Sequence, residues 1–220
     1  MNEYLTVKTE CVAEIIEKKS RFIATVRPVL SEDDALGFIS EMKKKYFDAR
    51  HNCSAYIILE TVLNGDRTEK SFRTIEKCSD DGEPSKTAGN PMLEVLRGAG
   101  LKNTAIVVTR YFGGVLLGTG GLVRAYSQAA AEGIRVSEKI RMRLLNKVAL
   151  STDYTSYGKF SYMASEEGIS ISDTSYTDSV SCICLCDDIS YGRLKNKMAE
   201  ITAGKCKIDL IDKDYYPMEK

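Results

Sequence analysis

One stretch, residues 104–139, restricts the folds open to this chain more than any other. Thr104-Ala105-Ile106-Val107-Val108-Thr109-Arg110 is an apolar run of the length of one buried strand. It runs into Tyr111-Phe112-Gly113-Gly114 and then Leu117-Gly118-Thr119-Gly120-Gly121, and Leu122–Lys139 has the pattern of a long, alanine-bearing helix. A glycine-rich loop is therefore expected over Tyr111–Gly121. Glycines let backbone N–H groups approach a ligand, and a helix start carries partial positive charge, so this junction favours anions. Arg110 and Arg124 flank it and are expected to bond a phosphate. The candidate anion or nucleic-acid site is thus Arg110, Gly113, Gly114, Gly118, Thr119, Gly120, Gly121 and Arg124. The same glycines equally suit a tight strand-to-helix turn with no ligand. Neither a Walker A spacing nor a Gly-x-Gly-x-x-Gly fingerprint is present.

Around this stretch the pattern alternates between strands and helices. Val12–Glu17 and Phe22–Val29 read as a hairpin turned at Lys18-Lys19-Ser20. Ser31 caps a helix that runs to about Tyr46. Cys53–Glu60 and Ser71–Lys77 read as strands joined by a turn at Asn64-Gly65-Asp66, and a short helix starts at Pro91. After Arg141–Arg143 the order is strand (Leu144–Ser151), helix (Tyr154–Glu167), strands (Ile169–Ser175, Ser179–Cys186), helix (Ser190–Ala203) and strand (Cys206–Leu210). That is the βαββαβ order of a ferredoxin-like unit. The chain is therefore expected to be α+β, with domains at 1–142 and 143–220.

The 31 basic and 31 acidic residues cancel, with only a mild basic excess before residue 144, so no strongly basic nucleic-acid domain stands out. No apolar run approaches the ~20 residues of a membrane span, the N-terminal residues are polar, and the seven cysteines form no C-x-x-C pair. A cytoplasmic protein with free thiols is expected. Cys182, Cys184 and Cys186 share one strand face. Neighbours ~6.5–7 Å apart along a strand are too far apart for one zinc ion, so no metal site is expected and the thiols read as core packing.

Asp80-Asp81-Gly82-Glu83-Pro84-Ser85-Lys86-Thr87-Ala88-Gly89 is too polar for a regular element. Its carboxylates suit a hard cation or acid–base work, but a solvated turn with a helix cap at Ser85 or Thr87 is the better reading. His51, the one histidine, reads as packed or capping, since Cys53 two residues on lies beyond hydrogen-bond reach of it along a strand. Asp80, Asp81, Glu83, Ser85, Lys86 and His51 form the candidate functional loop, and no cofactor is expected.

Three of these stretches, Asp81-Gly82-Glu83-Pro84 through Thr87-Ala88-Gly89-x-Pro91-Met92-Leu93, Val108–Gly114 with Leu117–Tyr126, and His51-x-Cys53-x-Ala55-Tyr56, closely resemble the IMPACT/YigZ family. Lys86 departs from that pattern, in which a small residue, usually glycine, is expected. The resemblance implies a ribosomal-protein-like N-terminal domain related to the GHMP kinases, followed by a ferredoxin-like domain. It further implies a translation-linked role, since eukaryotic relatives regulate translation by binding the activator of an initiation-factor kinase. The expected partners are RNA, the ribosome or a translation regulator. A small-molecule or phosphate-handling enzyme built on the glycine-rich and Asp/Glu loops is the alternative.

Overall fold

The computed structural model describes residues 2–63 and 70–218 and divides into two compact units, one running from Tyr4 to Arg141 and the other beginning at Met142 and including Glu3. The turn expected at Asn64-Gly65-Asp66 lies outside the described residues.

The first unit opens with β1 (Glu3–Val7), then β2 (Cys11–Glu17) and β3 (Ser20–Pro28). These last two pair antiparallel from Cys11–Val26 to Glu17–Ser20. The turn holds only Lys18 and Lys19, both at positive φ (45° and 68°), as a two-residue hairpin requires. Ser31 then caps α1 (Glu32–Lys45), its Oγ accepting the Asp34 N–H at 3.1 Å. β4 (His51–Leu63) and β5 (Lys70–Ser79) follow, then α2 (Gly89–Gly98), β6 (Thr104–Tyr111) and α3 (Gly118–Val136).

The sheet order is β2-β3-β6-β4-β5, every pair antiparallel. Helices cover both faces, which explains why central β6 reads as an unbroken apolar run. Ala105 and Val107 pack with Phe38 and Met42 of α1, while Ile106 and Val108 pack with Met92 and Leu96 of α2 and Tyr126 and Ala129 of α3. Arg110 continues the second parity, so the strand carries a cation onto the α2/α3 face.

Two boundaries differ from the sequence expectation. α3 starts at Gly118 rather than Leu122, so Gly118–Gly121 form its first turn and not a loop before it. That turn has no apolar residue, and apolar periodicity could not reveal it. α2 starts at Gly89, ahead of Pro91.

Next come β7 (Lys139–Thr152), α4 (Tyr154–Glu166), β8 (Ser170–Tyr176), β9 (Val180–Cys186), α5 (Asp188–Thr202) and β10 (Lys207–Pro217); their strands pair in the order β10-β7-β9-β8, all antiparallel, in a five-stranded sheet whose remaining strand is β1. This is the ferredoxin-like arrangement. The sheet packs on α4 and α5 around Val148, Leu150, Phe160, Leu194 and Met198. Cys182, Cys184 and Cys186 are buried there. The Cys182 and Cys184 sulfurs lie 3.8 Å apart, so the distance argument against a shared ligand fails: side chains lean along the strand, and Cα spacing does not fix sulfur spacing. Among the described residues, no group of three His, Cys, Asp or Glu side chains is placed to hold a metal. No helix among them is long and apolar enough to cross a membrane.

Candidate anion-binding cleft

β4 and β6 pair so that His51 stands opposite Arg110 and Cys53 opposite Val108. All four face α2 and α3, and the Asp80–Gly89 loop crosses over them. Glu83 is brought inward by this loop and is buried. Its Oε1 accepts Arg110 Nη1 at 2.6 Å and the Tyr126 hydroxyl at 2.9 Å, and lies 3.8 Å from His51 Nε2. His51 Nδ1 donates to the Asp81 carbonyl at 2.9 Å; a carbonyl only accepts, so the Nδ1 proton is fixed and Nε2 faces Glu83.

The loop is held by its own aspartates. Asp80 takes the N–H groups of Lys86 (2.8 Å), Ala88 (3.0 Å) and Gly89 (2.8 Å). Burial works against its charge, but these three donors outweigh burial and hold its pKa below the ordinary value. α2 has no side-chain cap of its own; Asp80, not Ser85 or Thr87, satisfies its first N–H groups. Ser85 is exposed, and Thr87 Oγ1 donates to the Pro84 carbonyl at 2.6 Å. Asp81 accepts Lys43 Nζ at 2.5 Å and the Asn52 N–H at 2.7 Å. Asp80 and Asp81 therefore serve as loop braces. Lys86 sits at φ 64°, the left-handed region, which gives a physical reason for a glycine there.

Cys53 is fully buried, its Sγ 3.0 Å from the Asp80 carbonyl, and desolvation pushes its pKa up to about 12. A thiol so protonated is not an activated nucleophile.

Beside this cluster lies a cleft of about 410 Å³. Arg110, His51 and Glu83 line it together with Phe112, Leu117 and the first residues of α3, Gly118 and Thr119. Arg110 is only 5% exposed and its Nε has no hydrogen-bond partner, although its guanidinium lies 5.5 Å from the Phe22 ring and 5.7 Å from the Phe112 ring. The first turn of α3 has neither a side-chain cap nor an acidic residue, so its N–H groups are open to an acceptor.

The structure divides the other expected residues. Gly120 lies 3.8 Å from the Arg124 guanidinium (from an added Cβ), and Gly121 and Arg124 line a separate depression with Glu17, Lys18 and Gln128. Arg124 and Arg110 do not converge. Gly113 is pressed on the β2–β3 turn: an added Cβ would lie 2.0 Å from the Lys19 carbonyl carbon, and its N–H donates to Ser20 Oγ at 3.2 Å. Gly114, at φ 82°, turns the loop. Tyr126, Arg50 and Phe112 were missed from sequence. Tyr126 stands four residues after Leu122 on the buried stripe of α3, a spacing that could have revealed it.

The family model for the Impact N-terminal domain matches residues 18–134, and a domain of unknown function (DUF1949) matches residues 150–205. The chain belongs to the IMPACT family. IMPACT family member YvyE of Bacillus subtilis is 39% identical over 208 residues, covering 94% of this chain and 91% of that one. Protein IMPACT of Mus musculus is 32% identical over 106 residues, 47% of this chain and 30% of its own. A solved structure titled as that of a hypothetical protein covers 96% of the chain and is itself covered to 98%, at 28% identity and a TM-score of 0.60. In this IMPACT family chain the whole cleft lies inside the region matched by the N-terminal domain model.

Proposed function

We propose that this chain is a translation-associated binding protein that holds RNA, free or on the ribosome, by seating a phosphate in the cleft between the Asp80–Gly89 loop and the start of α3. The translation link rests on kinship within the IMPACT family. The RNA link rests on one observation: a buried Arg110 that keeps donors beyond its bond to Glu83 and lines the same cleft as an uncapped helix start. Only one amine of Arg110 is tied to Glu83, so the guanidinium keeps donors for a second anion.

The enzyme reading is weaker on the same geometry. Asp80 and Asp81 are committed to the backbone and Lys43, Glu83 to Arg110 and Tyr126, and the Cys53 thiol is held protonated.

Sedimentation with ribosomes and titration with single-stranded RNA at several salt concentrations test the proposal. Binding should weaken as salt rises, with a slope of about one per phosphate contact. Absence of binding to both RNA and ribosomes, or binding indifferent to salt, refutes it and favours a protein partner.

A further inference from the structure

The geometry points to a narrower ligand for this cleft: a nucleoside phosphomonoester, free or at the end of a strand, with its phosphate on the α3 start and its base on Phe112. This inference rests on the phosphate-seating reading above and adds the rest of the ligand to it.

Three observations carry it. The first is the anion end, where the 95%-buried Arg110, with one amine tied to Glu83 and its other donors left over, lines the same cleft as Gly118 and Thr119 in the open first turn of a 19-residue helix. The second is depth. Arg110 is too buried to meet a backbone running across the surface, and about 410 Å³ is at the small end of the ~300–1,000 Å³ range for small-molecule sites. A space of that size holds one nucleotide, which a strand offers most readily at its end. The third is the wall. Phe112 is 41% exposed and Leu116 is 84% exposed, so apolar surface stands uncovered beside the charged end. The Arg50 guanidinium lies 5.9 Å from the Phe112 ring centroid, and both groups line the cleft. An aromatic ring with an arginine beside it suits a planar base, which stacks on either group. Inorganic phosphate would leave that wall in water, and an acyl chain would gain nothing from the Arg50 plane.

Isothermal titration calorimetry of the full chain at low salt tests this, with adenosine 5′-monophosphate, adenosine, inorganic phosphate, and a ten-nucleotide RNA with and without a 5′-phosphate. The monophosphate should bind at least tenfold tighter than adenosine or phosphate. Tighter binding of the phosphorylated RNA than of the monophosphate assigns the ligand to strand ends, and equal binding assigns it to the free nucleotide. Thr119→Glu places a carboxylate on the open helix start without disturbing the core. It should lower affinity at least tenfold while leaving the melting temperature unchanged or raised. Phe112→Ala should bring the monophosphate toward the affinity of phosphate alone. Inorganic phosphate binding as tightly as the monophosphate, no effect of Thr119→Glu, or no binding by folded protein overturns the inference. RNA that binds equally with and without its terminal phosphate, and equally to Thr119→Glu, removes this site but leaves RNA binding by the chain intact.

Discussion

Arg110 Nη1 donates to Glu83 Oε1 across 2.6 Å in a pair that is almost wholly buried. Removing one partner of such a pair strands the other charge, whereas removing both does not. Arg110→Met should therefore cost about 3–5 kcal/mol of stability, and the double variant Arg110→Met/Glu83→Gln less than the sum of the two single losses. Urea denaturation of all four proteins measures the coupling. Additivity within about 0.5 kcal/mol would mean the pair contributes nothing as a pair.

Gly113 and Gly114 are adjacent but should respond differently to alanine. At Gly113 the added carbon meets the Lys19 backbone, so the loop or the hairpin must move; at Gly114 the space is open and only φ 82° resists. Gly114→Ala should cost about 1–2 kcal/mol, the price of the left-handed region, and Gly113→Ala clearly more. Thermal melts of the two variants side by side decide it, and equal losses would contradict the packing argument.

Asp80 and Asp81 both have depressed pKa values: burial opposes the charge of each, and their hydrogen bonds outweigh it. As pH falls, the unfolded chain therefore takes up these protons first. The stability they add is complete above the ordinary aspartate value of about 3.9 and is lost as pH drops through the lower folded-state values. Asp80→Asn should flatten the acid limb of a stability–pH profile between about pH 4 and 2. An unchanged limb would show that the N–H donors do not hold the carboxylate ionised.

The thiols offer a check on burial. Cys78 is exposed, whereas Cys53 is fully buried with a pKa near 12. Alkylation of native protein at pH 8 should label Cys78 first and Cys53 only after unfolding, as read by peptide mass spectrometry. Early labelling at Cys53 would show that the loop above it opens readily.

The two units have separate apolar cores, one drawn from residues 7–134 and the other from residues 148–198. We expect a fragment of residues 1–142 to melt cooperatively on its own. A fragment that is unfolded while the whole chain is folded would place the boundary elsewhere.

Elements with a local signature were legible in the sequence. Ser31 announced α1, and the lysine pair announced the hairpin. β10 was cut short because Asp212, Lys213 and Asp214 look like a tail; they belong to a strand that pairs with β7 past a bulge at Leu210/Asp212. β7 was likewise begun too late, its early Lys139, Arg141 and Arg143 hiding the strand. The Glu83–Arg110 pair spans 27 residues and depends on the crossing of a loop over two strands, which no local pattern encodes. The Asp80 cap of α2 was hidden for the same reason, since capping signals are sought next to a helix and this donor set is closed from eight and nine residues away.

The β2–β3 turn carries a burden out of proportion to its two residues. The loop that walls the cleft is moulded on its back, with Gly113 seated on Lys19 and Ser20. Surface hairpins ordinarily absorb insertions with little harm. This one has no such freedom: a residue added between Lys18 and Lys19 would push the cleft wall from behind. The length of a turn that touches no ligand is thus tied to the shape of the site, and an epitope or label meant to be silent should be placed elsewhere.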